Sequence, residues 1–171
     1  MLQVYNFPDT YDRANRLLSV SGVGVAASYA WNGMGDRLSE TANGQTTHYT
    51  MDLNAGLTQV LQDGTNTFLY GAGRVAQYGA SGPEYYLGDA LGSVRQMVAA
   101  SGNVTLGRNY KPYGGVLSSM GGGATSFGFT NEYTSQGLIY LRARWYAPCG
   151  YRIIWVVMGI RVISRSIQGL S

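Results

Sequence analysis

One histidine, one cysteine and nine carboxylates are the chain's whole stock of side chains for acid–base, thiol or metal chemistry. His48 lies in "NGQTTHYTMD", beside Tyr49, on a stretch that reads as a strand. A triad or a zinc site needs the imidazole together with placed partners. Neither a Gly-x-Ser-x-Gly elbow nor a second ligand motif accompanies it. His48 with nearby acids is thus one enzyme hypothesis, and a surface or cross-strand histidine is the preferred reading. Cys149, standing alone, excludes an internal disulfide framework and a multi-cysteine metal site. Two runs, "GVGVAA" (22–27) and "GAGRVA" (71–76), imitate a dinucleotide loop. A working loop needs a buried strand before it, a helix after it and a distant acid. After Ala27 comes "SYAWNGMG", a strand and then a turn. The expectation is a chain with no catalytic residue, no cofactor and no metal.

Two further groups could carry chemistry. Asp89 sits in "YLGDALGSVRQMV", and Arg142 and Arg144 sit in "LIYLRARWYAP" (138–148). The second stretch alternates: Leu138, Tyr140, Arg142, Arg144 and Tyr146 fall on one side, and Ile139, Leu141, Ala143, Trp145 and Ala147 on the other. An arginine pair facing an anionic ligand is one reading. Arginines stacked on tyrosines, with Ile139, Leu141 and Trp145 packed on another layer, is preferred, because alternation accounts for every residue. With "SFGFTNEY" (126–133) and the turn "TSQG" the block is expected to form a hairpin.

The elements that must position these residues follow from composition. The chain has 171 residues, enough for one ordinary domain, and only 12% are charged. Twenty-five glycines, 14 tyrosines and a single lysine, Lys111, indicate many short strands with glycine turns rather than long helices. Residues 1–150 carry nine Lys and Arg and nine Asp and Glu, so the net +3 comes from Arg152, Arg161 and Arg165. A basic balance confined to the tail makes no phosphate-tracking face, so nucleic acid is not expected as a partner. "IIWVVMGI" is too short to span a bilayer, which needs about 20 apolar residues. "MLQVYNFPDTYDR" lacks the basic and apolar regions of a signal peptide, so the chain is expected to be either cytosolic or a piece of a longer exported protein.

A unit repeats. It runs as a tyrosine strand, an Asp/Asn/Gly turn, an alternating strand and a second turn: "YDRANRLLSV", "YAWNGMGDRLSET", "YTMDLNAGLTQVLQDG", "YGAGRVAQY", "YLGDALGSVRQMV", "YKPYGGVLSS". The apolar residue after each turn falls at Leu17, Leu38, Leu57, Val75, Val94 and Val116, at intervals close to 20. Two strands and two turns fit such an interval. The expected fold is all-β: consecutive antiparallel β-hairpins forming an extended, twisted sheet, with a short irregular or helical C-terminal tail. Asp89 then occupies the turn slot of Asp12, Asp36 and Asp52, where a carboxylate bonds backbone N–H groups. Turn chemistry is preferred to catalysis there.

These units resemble the YD repeats of Rhs proteins and their relatives. Residues 85–148 resemble the Rhs repeat-associated core through "YYLGDALGSVRQMVAASGNV", "YKPYGGVL" and "FGFTNEYTSQGLIYLRARWYAP". The resemblance divides the chain into degenerate YD repeats (1–84), a core region (85–148) and a divergent tail (149–171). It implies a secreted or cell-surface shell whose strip of hairpins spirals round a C-terminal toxin or effector. The implied partners are the remainder of the shell and the enclosed polypeptide. Its motif residues here are Tyr86, Gly88, Asp89, Gly92, Tyr113, Gly114, Arg142, Arg144 and Tyr146, in structural roles. "YAPCGYR" departs from the family's Tyr-Asp-Pro block, and the Asp-Pro motif of self-cleaving members is missing, so no autoproteolysis carries over. The loss of acids in the tail is read as the mark of a frameshift near residue 148, with a genuine last strand as the alternative. A carbohydrate-binding module, its exposed tyrosines stacking on sugars, is the competing function.

Overall fold

The computed structural model describes residues 9–22, 25–142, 144–148 and 152–154. It is all-β, built from consecutive antiparallel hairpins. The strands in chain order are β1 (Asp9–Tyr11), β2 (Leu17–Gly22), β3 (Val25–Trp31), β4 (Arg37–Ala42), β5 (Gln45–His48), β6 (Thr50–Asp52), β7 (Gln59–Gln62), β8 (Thr67–Tyr70), β9 (Arg74–Gly79), β10 (Gly82–Gly88), β11 (Val94–Ala99), β12 (Val104–Tyr110) and β13 (Val116–Met120). A 3-10 turn, Phe129–Asn131, leads into β14 (Tyr133–Ser135), β15 (Leu138–Tyr140), β16 (Trp145–Ala147) and β17 (Arg152–Ile154).

One turn geometry recurs. In Asp12–Arg16, Asn32–Asp36, Asp89–Ser93, Ala99–Asn103 and Lys111–Gly115 the first residue's N–H donates to the fifth residue's carbonyl. The fourth residue's N–H donates back to the first carbonyl. The fourth residue has positive φ in each: Asn15, Gly35, Gly92, Gly102 and Gly114. This is a type I turn closed by a bulge, which suits the right-handed twist of a hairpin. Where the first residue is Asp or Asn, its side chain completes the turn. Asp89 Oδ1 accepts from the N–H groups of Leu91 and Ser93 at 3.0 and 2.9 Å. Asp12 does the same for Ala14 and Arg16, and Asn32 for Met34 and Asp36. Asp52 makes half the arrangement, to Asn54. The turn slot in the second unit therefore belongs to Asn32. Asp36 closes the turn's far end, where its Oδ2 accepts from Asn32 Nδ2.

That correction moves a strand by one residue. Counting five from the turn's first residue gives Leu17, Arg37 and Val94, all at most 2% exposed. Leu38, the apolar residue expected to follow the turn, is 45% exposed. A one-residue offset exchanges the two faces of a strand, so a charged side chain takes the core slot of the second unit. Leu57, Val75 and Val116 are exposed as well.

Strands β1 to β5 and strands β6 to β13 pair strictly in sequence within two sheets. The run 45–52 links two sheets: its first half, β5, pairs with β4, and its second half, β6, with β7. At the join Tyr49 turns inward and its N–H donates to Leu38 O. The result is a strip of 13 strands with a break at Tyr49.

Residues 124–148 cover one face of this strip. Leu17, Val20, Ala27 and Tyr29 pack against Leu138, Trp145 and Ala147. Beyond the break, Tyr49, Phe68, Val94, Met97 and Leu106 pack against Phe127 and Tyr133. The covering segment departs from the expected hairpin in two ways. Residues 126–133 are not a strand arm, because the 3-10 turn at 129–131 interrupts them. The stretch 138–148 is not one strand: β15 folds back on β16, pairing Ile139 with Tyr146 and Tyr140 with Trp145. Leu141 N–H closes the turn on Arg144 O, and Arg142 has φ +64. Leu138 and Ile139 are consequently both buried, which alternation in a one-sided strand would not allow. Arg152–Ile154 pairs with β16 as β17, extended rather than helical, while Cys149 and the rest of the tail lie outside the described residues.

Candidate functional site

Two places gather the chain's unusual side chains. The first is a buried arginine cage where both halves of the strip meet the covering sheet. Arg37, 1% exposed, sits with its guanidinium 4.3 Å from the ring centre of Tyr49, 4.2 Å from Tyr133, 4.6 Å from Tyr140 and 5.3 Å from Trp145. Its Nη1 lies 3.2 Å from Oε2 of Glu40, itself 3% exposed. Glu40 is also bonded by the hydroxyls of Tyr49, at 2.9 Å, and Ser135. The Tyr49 and Tyr133 hydroxyls lie 2.8 Å apart. Burial pushes both phenols up from their ordinary range, so they remain neutral hydrogen-bonding groups at neutral pH. Arg37 Nε and Nη2 have no hydrogen-bond partner among the described residues.

The second place adjoins it: a cavity of about 500 Å³ between the strip, the loop 53–58 and the turn 141–144. Arg37 forms part of its wall, as do Arg16, Arg74, Arg142 and Arg144. Arg74 stacks 3.0 Å from the ring centre of Phe127 and donates to Asn131 O and Oδ1 at 2.9 and 2.7 Å. Arg142 donates to Thr58 O and lies 3.6 Å from Glu132. Burial raises the Glu132 carboxyl, against the lowering effect of Arg142 and Arg74.

The residues singled out in the sequence fall into four groups. Gly92, Tyr113, Gly114 and Tyr146 converge around the 3-10 turn. Tyr146 OH donates to Tyr113 O at 2.8 Å. A Cβ on Gly114 would stand 2.7 Å from the Phe129 ring, and one on Gly92 3.8 Å from Asn131. Ser93 Oγ accepts from Thr130 N–H, and Val94 N–H donates to Gly128 O. The three sequence blocks quoted for the core region thus meet at one joint. Tyr86 belongs to another contact: it donates to Gln77 Oε1 at 2.6 Å and shares a 2.9 Å bond with Thr125, while Gln77 holds Ala124 O. Burial pushes the Tyr86 phenol up to about 12. Gly88 and Asp89 build the β10–β11 turn, with a Cβ at Gly88 only 3.5 Å from Gly92. Arg142 and Arg144 lie in the β15–β16 turn at the cavity, not along one strand face.

His48 ends β5 opposite Ser39, exposed. The residues after both Gly-x-Gly runs continue as strands β3 and β9. Among the described residues no group of three His, Cys, Asp or Glu could hold a metal, and no helix is long and apolar enough to cross a membrane. The sequence reading missed Arg37, Glu40 and Arg74. The signal for Arg37 was the count from Asn32, once Asn32 rather than Asp36 is taken as the turn's first residue.

No protein-family model and no curated protein matches the chain. Solved structures do. TcdB2-TccC3 without its hypervariable C-terminal region matches with a TM-score of 0.64 and 17% identity, over 86% of this chain and 9% of that one. TcdB2-TccC3 itself gives 0.62 and 17%, with the same coverage. The Photorhabdus luminescens Tc holotoxin pore with a TccC3 substitution gives 0.64 and 19%, over 85% of this chain and 8% of that one. The chain spans less than a tenth of these proteins, and over that span it shares their fold, here sheets of consecutive antiparallel hairpins.

Proposed function

We propose that the chain is a stretch of wall in an Rhs/YD-repeat shell that encloses a C-terminal toxin or effector polypeptide, with no catalysis of its own. The observation that carries this reading is the strictly sequential strip β1 to β13, covered on one face by residues 124–148. Such a strip grows by adding hairpins, and its strength lies in backbone ladders and cross-strand side-chain pairs rather than in a reactive centre. The fold shared with TcdB2-TccC3 supports it, and the small share of those chains that is matched supports reading the chain as a segment rather than a whole wall. Its partners are then the rest of the shell and the polypeptide inside, and its place is outside the cell as part of a longer protein.

A wall segment taken alone has open strand edges, β1 and β13. All five residues of β13 are exposed and none is charged or a proline; its one irregularity is the skipped Leu117 beside the turn, and Ser118–Met120 pair in regular register. Sedimentation velocity should show association that rises with concentration and falls on Leu117→Lys in β13. A glycan array should show no saturable binding. A chain that stays monomeric at every concentration refutes the open-edged wall, and saturable glycan binding replaces it with the carbohydrate module.

A further inference from the structure

A wall needs no ligand, yet the cavity beside Arg37 has the character of a binding site. Five of the nine Lys and Arg within residues 1–150 line it, against the carboxylates of Asp36 and Glu132. Arg37 is on its wall while its counter-ion Glu40 is not, so the buried ion pair turns its positive end toward the space. A cleft with low-dielectric aromatic walls strengthens such a field. Trp31, Tyr140 and Trp145 give it apolar surface, and about 500 Å³ falls within the range of ligand sites. Apolar surface continues outside the mouth: Met34 is 81% exposed and Leu57 66% exposed, and both line the cavity.

We propose that this cavity binds an acidic peptide segment, with a Glu or Asp side chain seated among the arginines and a neighbouring apolar side chain on the aromatic wall. Charge complementarity selects the carboxylate. The exposed Met34 and Leu57 at the rim select a chain that runs on past the opening, in preference to a small anion held wholly inside. Arg37, whose Nε and Nη2 are sealed from solvent, contributes field; Arg142, held by Thr58 O and Glu132, and Arg144 line the cavity at the turn.

The test uses the purified chain and a fluorescein-labelled hexapeptide, Gly-Phe-Glu-Leu-Glu-Gly, read by anisotropy and by tryptophan quenching. The Gln-for-Glu peptide should bind at least tenfold more weakly. Binding should weaken with salt, since exposed charges are screened. Leu57 is exposed enough to replace without disturbing the fold, so Leu57→Glu should weaken binding several-fold and Leu57→Lys should preserve or strengthen it. Equal affinity for the two peptides, no saturation by 1 mM, or equal behaviour of the two Leu57 variants overturns the proposal. So does displacement of the peptide by sodium phenylacetate with full recovery of signal at micromolar concentration, which would assign the cavity to a small acid. The wall reading is decided separately by sedimentation, which these peptides do not enter.

Discussion

Replacing Arg37 by methionine tests the central packing claim. The apolar stem is retained, so little cavity forms, and what is lost is the guanidinium. Glu40 would remain 3% exposed, bonded to Tyr49 and Ser135 but facing no cation. Removing one partner of a buried pair typically costs about 3–5 kcal/mol. The four ring contacts at 4.2–5.3 Å lose a cation at the same time. Each such contact is worth about 0.5–2 kcal/mol, but they belong to the same event and are not added. Arg37 already leaves Nε and Nη2 unpaired, a native penalty that the variant removes, so the expected loss lies near the lower end, about 3 kcal/mol. For a chain of this size that is a fall in Tm of roughly 6–12 °C. Urea and thermal unfolding followed by tryptophan fluorescence measure it, since Trp145 borders the cage. The double variant Arg37→Met/Glu40→Leu should return to within about 1 kcal/mol of the parent, because an apolar pair of similar volume replaces buried charge with little net loss. A single variant costing less than about 1 kcal/mol, or a double variant no better than the single, would refute the account of Arg37 and Glu40 as a mutually dependent pair.

Other outcomes follow from the turns and the titrating groups. Asp89→Ala should lower stability by about 1–2 kcal/mol, from two carboxylate bonds to backbone N–H, and Asp89→Asn should recover most of it; chemical denaturation reads both. Gly102→Ala and Gly114→Ala share a positive φ, near +87 and +88, but only Gly114 has the Phe129 ring in the way. The Gly102 change should therefore cost about 1–2 kcal/mol, and the Gly114 change measurably more. Glu132 has its carboxyl raised by burial, so its contribution to stability is fully present below the unfolded-state value and is lost as pH rises through the folded one. Glu132→Gln should accordingly gain in Tm relative to the parent between pH 4 and pH 7, and a constant difference across that range would contradict the burial argument. In an ultraviolet titration, Tyr86→Phe should remove one phenolate from the late step at about 12 and none from the step near 10.

The hairpin plan was legible because turn chemistry is local. Asp12, Asn32 and Asp89 bond to backbone two and four residues on, and the glycine or asparagine at the fourth place marks the positive φ. The face of each strand was less legible. Choosing Asp36 over Asn32 shifted the count by one and marked Leu38 as the residue after the turn, where Arg37 belongs. An apolar residue beside a charged one looks like the core residue until the aromatic cage is known, and that cage comes from residues 49, 133, 140 and 145. The block 138–148 failed for a related reason. Its alternation is genuine, but the left-handed turn at Arg142 is held by Thr58 and Glu132, neither of which is near in sequence. The joint of Gly92, Tyr113, Gly114 and Tyr146 was visible only as three separate blocks, with nothing local to say that they touch.

The recurring five-residue turn has an evolutionary consequence. Asp12 and Asn32 open such turns 20 residues apart, and Asp52, which makes half the arrangement, stands a further 20 on; each full turn depends on its own five residues. Gain or loss of genetic material in whole units lengthens or shortens the strip without exchanging its faces. A single codon gained within a strand inverts every side chain up to the next bulge. Unequal recombination between units is thereby tolerated, while small insertions are filtered out. A lineage built on such turns can vary the size of the protein in steps long before it can vary the inside of any one hairpin.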